Sequence, residues 1–164
     1  MYMKKILLCL IGILLVIIEG SIINYIDIFG ISVSLVIVYC TIISLYLDEL
    51  EAGIIGAIIG LIKDVAFGGI FGVNTLILFA ISYGISTLRY KIYKESYITV
   101  GTLIIITSIF DSMVNITATT LIYNSYSILT MVLKGIFIIP LMNSLLGFII
   151  YLLFKNSILK LKEE

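Results

Sequence analysis

The amino-acid sequence predicts an all-α integral membrane protein, a single domain in which six transmembrane helices form one bundle with both termini in the cytoplasm. Three observations carry this. First, 62% of the 164 residues are hydrophobic, 12% are charged and the mean hydropathy is +1.26, more apolar side chain than one soluble core of this size can bury. Second, long apolar runs alternate with short polar connections, which predicts helices over approximately 4–23, 31–47, 52–65, 74–88, 98–122 and 128–154. Third, six crossings from an inside N terminus put Lys4, Lys5, Arg89, Lys91, Lys94, Lys155, Lys160 and Lys162 on the cytoplasmic side and leave only Lys63 and Lys134 elsewhere. That asymmetry is the positive-inside pattern.

Each element follows from local signals. Lys4 and Lys5 precede the run Ile6 to Ile18, which resembles a signal-peptide core, but Glu19, Gly20, Ser21, Ile22 and Ile23 offer no small-x-small cleavage site. The run is therefore read as a retained first helix. NYIDIFG (24–30) is a short connection, Ile31 to Leu47 a second helix, and Asp48, Glu49 and Glu51 a charged turn that falls inside. Acidic residues carry little weight in orientation, so the turn does not reverse the assignment. The third helix, Ala52 to about Val65, covers roughly 20 Å and falls short of a ~30 Å hydrocarbon core. Gly68, Gly69 and Gly72 stop it, and irregular backbone at that depth is tolerated only inside protein or beside water. Asn74 is the expected N-cap of the fourth helix, which ends at Leu88 before the basic loop with Arg89, Lys91 and Lys94. The fifth helix spans about Ile98 to Ile122, YNSYS forms a turn, and the sixth runs from about Ile128 to Phe154 before the polar tail. No connection is long enough to form a second domain.

The stretch Glu51 to Leu76, EAGIIGAIIGLIKDVAFGGIFGVNTL, organises the rest. Gly53, Gly56, Gly60 and Asp64 share roughly 80° of helix circumference, with Ile54, Ile55, Ile58 and Ile62 opposite. Isoleucine suits acyl chains, and glycine admits a neighbouring backbone. That neighbour is another helix of the same bundle or a partner helix at a dimer interface; packing within the bundle is the favoured reading.

The polar residues at membrane depth are the other informative set. Asp111 shares roughly 120° of the fifth helix with Thr107, Ser108, Asn115, Ala118 and Thr119, while Ile105, Ile109, Met113 and Ile116 lie opposite. A charge near mid-membrane costs about 2.5–3.5 kcal/mol, so Lys63, Asp64, Asp111 and Lys134 should pair or reach water. The expected pair is Asp111 with Lys134 or Lys63. Such a pair fixes helix register more readily than it builds an ion path, and no supporting pattern makes an aspartyl dyad of Asp64 and Asp111. Pro140 is expected to kink the sixth helix and free the carbonyl of Ile136, with Asn143, Ser144, Gly147 and Tyr151 following on one face.

Composition also narrows the chemistry. There is no histidine, and the two cysteines, Cys9 and Cys40, lie in apolar runs and read as packing residues. No catalytic residue, cofactor or metal ligand is expected. Zero net charge without a basic run or phosphate loop speaks against nucleic acid.

The organising stretch resembles the signature region of the MreD family of bacterial rod-shape-determining membrane proteins, in which a charged turn, a Gly-rich helix, an Asp, a glycine loop and Gly-x-x-x-Leu follow in order. Here those are Glu51, Gly53, Gly56, Gly60, Asp64, Gly68, Gly72 and Leu76. IIPLMNSLLGFIIYLLF, with Pro140 and Asn143, is similar to the family's last helix. Many members carry Pro-Asp at the entrance of helix two, where this chain has Ser32, Val33 and Ser34. The resemblance implies a non-enzymatic scaffold of the cell-elongation complex (the elongasome) in the bacterial cytoplasmic membrane, serving cell shape and lateral peptidoglycan synthesis. It implies MreC as the bound partner, with MreB, RodA and a penicillin-binding transpeptidase in the wider complex. It also implies a fold similar to the substrate-binding subunits of energy-coupling-factor vitamin transporters. The alternative, that the chain is itself such a vitamin-binding subunit, is disfavoured on two counts. Helix one contains no alanine for the docking patch those subunits resemble one another in, and the chain has no tryptophan or histidine to offer a vitamin.

Overall fold

The computed structural model describes residues 2–23, 33–68, 70–92, 96–123 and 132–159; among these the chain is helical, with no strand. Six helices are found among the described residues. α1 (Tyr2–Ile18) continues as a π-helical segment, Glu19–Ile23. α2 (Leu35–Ser44), α3 (Glu49–Phe67), α4 (Val73–Leu88) and α5 (Tyr97–Tyr123) follow, and a π-helical segment, Lys134–Ile138, leads into α6 (Ile139–Leu159). Within this set, the stretches Tyr97–Ile122 and Lys134–Leu152 are long and apolar enough to cross a membrane.

The shortest helix is the hub. α2 packs against α1, α3, α4, α5 and α6, and Val36, Ile37, Val38 and Cys40 to Ser44 are all buried. On one side Val38, Ile42 and Leu45 meet Ile77, Ile81 and Ile85 of α4, Val100, Leu103 and Ile104 of α5, and Tyr151 of α6. On the other, Val36, Ile37, Cys40 and Ile43 meet Leu8 and Val16 of α1 and Ile55 and Ile59 of α3. The outward faces are apolar as well: Leu10, Leu14 and Ile17 of α1, Leu76 of α4, and Ile106 and Leu121 of α5 are all more than half exposed. This is a surface suited to acyl chains rather than water.

Several boundaries differ from those the sequence suggests, among them the end of α6, which lies at Leu159 rather than Phe154. α2 covers only Leu35–Ser44, about 15 Å, because Ser34 adopts an extended conformation and accepts the N–H of Ile37 as N-cap. α3 starts at Glu49 rather than Ala52 and runs to Phe67, about 28 Å. The charged turn is thus part of the helix, since Glu49 and Glu51 in its first turn are favoured by the positive end of the helix dipole. α4 has Gly72 and not Asn74 at its N-cap position.

The directions of the helices follow from their charged ends. Lys5 pairs with Glu51 at one end of α1 and α3, and Glu19 with Lys63 near the other, so these two helices run parallel. Arg89, just past α4, donates to the carbonyl of Leu47 and to the carboxylate of Asp48, and Ser86 Oγ donates to the same Leu47 carbonyl at 2.6 Å. The acidic turn therefore lies at the same end of the bundle as Lys5 and Arg89, where it supplies their counter-charges. Leu47 lies just past α2, where carbonyls lose their intrahelical partners. Replacing Arg89 with Ala should leave that carbonyl with Ser86 alone and lower unfolding stability by about 1–3 kcal/mol, read as a drop in melting temperature in detergent; an unchanged midpoint would show the contact to be idle.

Candidate functional site

The small face of α3 is filled by α4. A Cβ added at Gly56 would fall 2.5 Å from the carbonyl oxygen of Leu78 and 2.6 Å from Ser82 Oγ, and one at Gly60 would fall 2.6 Å from both the carbonyl oxygen of Asn74 and the Cα of Thr75. At Gly53 it would lie 2.9 Å from the Phe79 ring. Backbone meets backbone along this seam, the closest approach two helices make. On the far side Ile54 and Ile58 are exposed as the helical period predicts, but Ile55 is buried at 6% exposure. Ile62 is half-buried and packs against the same cluster. Their expected place beside lipid is corrected because α3 is covered on two sides, by α4 on the glycine face and by α1 and α2 next to it.

Between α3 and α4 the chain turns through two left-handed glycines, Gly68 at φ 63° and Gly72 at φ 93°. Gly68 ends α3 as its C-cap. Gly72, at the N-cap of α4, has no side chain to receive the first N–H groups, and Asp64 supplies the missing acceptor from the preceding helix. Its Oδ2 accepts the N–H groups of Gly72 and Thr75 at 3.0 Å and the Thr75 hydroxyl at 2.6 Å. Its Oδ1 accepts the N–H of Asn74 at 3.0 Å and the Asn74 amide at 2.9 Å. Five donors occupy one carboxylate that is 2% exposed. The negative charge also lies at the positive end of α4. Asn74, expected as the cap, is instead one of the groups being capped.

A second carboxylate does the same for α2. Glu19, in the π-helical turn at the end of α1, accepts the N–H of Val36 at 3.0 Å and the hydroxyl of Ser34 at 3.2 Å. Lys63 lies 2.9 Å from Glu19 and donates to Ser34 Oγ at 3.2 Å. From Ser34 the chain of hydrogen bonds crosses the bundle: its N–H donates to Asn143 Oδ1 at 2.9 Å, and Asn143 Nδ2 donates to Ser108 Oγ at 2.9 Å. Thr41 and Thr107 add a hydroxyl pair at 3.0 Å between α2 and α5. Asn143 and Ser108 are fully buried. One polar chain thus joins α1, α3, α2, α6 and α5 where side chains have no water to fall back on.

The pairing expected for Lys63 is corrected. Its partner is Glu19, not Asp111, because α1 and α3 run side by side in the same direction while α5 packs against α2, α4 and α6. Sequence reasoning passed over Glu19 as the residue that closes an apolar run; its lone charge after thirteen apolar residues was the available signal. Asp111 accepts from Asn115 Nδ2 at 3.0 Å, one turn further along its own helix. Lys134 opens the π-helical segment before α6, where the N–H of Ile139 reaches back to the Lys134 carbonyl. Pro140 therefore sits just past a widened turn. Gly135 in that turn lies close to Ser112 and Ile116 of α5, with an added Cβ only 3.0–3.1 Å from them.

Fold and interior together define a class: an α-helical membrane protein whose buried carboxylates, Asp64 and Glu19, are taken up by helix ends and by Lys63. The chain belongs to the MreD family, matching the family described as rod shape-determining protein MreD over residues 3–157, which takes in the α3–α4 hairpin, Glu19, Pro140 and Asn143. No curated protein and no solved structure gives a match.

Two results should follow from the caps. Glu19→Ala or Lys63→Ala alone leaves a buried charge without its counter-ion and should cost about 3–5 kcal/mol, whereas Glu19→Leu with Lys63→Met should recover part of that loss, the unpaired N–H of Val36 keeping the rest; additive unfolding losses would mean that the two do not act as a pair. Asp64→Ala orphans the first N–H groups of α4 and should cost about 1–3 kcal/mol, with faster amide exchange at Asn74 and Thr75 as its local signature. Exchange as slow as in the unaltered chain would show that Asp64 is not the cap.

Proposed function

We propose that this chain is a multi-pass protein of the bacterial cytoplasmic membrane, both termini inside, that serves the cell-elongation complex as a non-enzymatic scaffold. In this reading the bundle binds the single spanning helix of MreC and holds it in reach of MreB, RodA and a penicillin-binding transpeptidase during lateral peptidoglycan synthesis. Family membership supports the role in rod shape. The single observation that carries the scaffold reading is where the carboxylates go: Asp64 is taken up by five donors of the adjoining turn and helix, and Glu19 by Lys63, Ser34 and Val36. Groups committed in this way hold helices at fixed depth and angle.

Gly53, Gly56, Gly60, Asp64, Gly68 and Gly72 then act on a partner indirectly. They bring α3 and α4 together into one rigid hairpin, and the partner meets its outer surface. Orientation has support of the same kind, because the end of the bundle that carries Lys5, Arg89 and the exposed Lys91 is the end that the distribution of basic residues places inside.

The test is affinity isolation from membranes with co-expressed MreC. The unaltered chain should retain MreC, while Gly56→Leu and Gly60→Leu should still insert but lose MreC together with thermal stability, since a Leu side chain at either position meets α4 backbone. Retention of MreC by both variants at the level of the unaltered chain would remove the hairpin from the interaction.

A further inference from the structure

Along the inner half of α5, the stripe of Val100, Ile104, Thr107 and Ser108 is buried, each residue 6% exposed or less. The same stripe continues outward as Asp111, Asn115 and Ala118, and there every member is only half-buried. It is distinct from the lipid-facing side of the helix at Phe110, Met113 and Leu121, which is 43%, 55% and 79% exposed. No ion pair reaches Asp111 among the described residues: Lys63, whose charge acts on it, is held 2.9 Å from Glu19, and its hydrogen-bond donor is the amide of Asn115 on its own helix. A membrane-depth carboxylate whose nearby cation is already bound to another acid calls for a positive group of its own, and the small Ala118 one turn beyond Asn115 leaves room for another backbone to come close.

We propose that this outer stripe of α5 docks the spanning helix of a partner chain carrying a lysine or arginine at the depth of Asp111. The basic side chain pairs with the carboxylate, and Asn115 supplies an amide to the same group. Charge complementarity selects this occupant over an apolar helix or a lipid tail, neither of which answers the acid. The inference rests on the scaffold reading above and names the chemistry of its partner.

The test uses the full chain with co-expressed MreC in membranes, in a background lacking Cys9 and Cys40. Asp111→Asn should lower retained MreC about tenfold while the melting temperature of the chain alone stays within a few degrees, and Asp111→Lys should be rescued by replacing the partner's basic residue with Asp. Ala118→Cys should crosslink to a cysteine placed beside that basic residue. MreC retained equally well by Asp111→Asn would overturn the docking site but leave the scaffold reading standing, as would Ala118→Cys crosslinks confined to this chain. Asp111-dependent retention that requires added sodium would assign the acid to a small cation and overturn the docking site too. No retention of MreC by the unaltered chain would overturn both.

Discussion

A carboxylate lent by one helix to the N-terminus of another is the interaction on which this structure depends. A helix start leaves several N–H groups without partners, and where packing excludes water they must find an acceptor within the protein. α4 begins on a glycine and α2 on a serine. Each is completed from outside, α4 by Asp64 of α3 and α2 by Glu19 of α1. Because the acceptor belongs to a different helix, satisfying the backbone also fixes which helices are neighbours and at what height.

Packing then makes those assignments tight. Between membrane helices there is no gain from excluding water, so close contact and interhelical hydrogen bonds must supply the association. The α3–α4 seam shows the first, with Gly56 and Gly60 set against the backbone of α4. The path from Lys63 through Glu19, Ser34 and Asn143 to Ser108 shows the second. α2, buried on nearly every side, is where the two meet: its start is held by the polar chain and its length by two apolar clusters. A buried ion pair such as Glu19–Lys63 adds little net stability over an apolar pair, but it penalises any arrangement that separates the two charges. That is how a short central helix acquires one register among longer neighbours.

Much of this was legible along the chain. The glycine stripe marks a face open to a close neighbour, because glycine spacing at the helical period leaves only one face without side chains, and α4 lies against it. Gly68 ended α3 as the run of small residues suggested. The partner of Lys63 was not legible. Asp111, the carboxylate expected beside it, and Glu19, the one found there, lie far off in the chain on opposite sides, and periodicity contains no information on which helix runs alongside α3. Nor could the entrance of α2 be read: Ser34 is an ordinary N-cap residue, but its role comes from Glu19, Lys63 and Asn143, three residues on three other helices.

The sequence by itself determined the helical class, the apolar outward surface and the membrane setting, because these depend on composition and on a period of 3.6 residues, both local properties. It also determined the family, since the motif from Glu51 to Leu76 is contiguous. Only the tertiary structure decided what the charges are for. Asp64 could have been an acid beside another acid and is a helix cap; Glu19 could have been the end of an apolar run and is the counter-ion of Lys63. The physical reason is that a carboxylate in the membrane is defined by the donors within about 3 Å of it, and which donors those are is settled by how helices distant in sequence come to lie together.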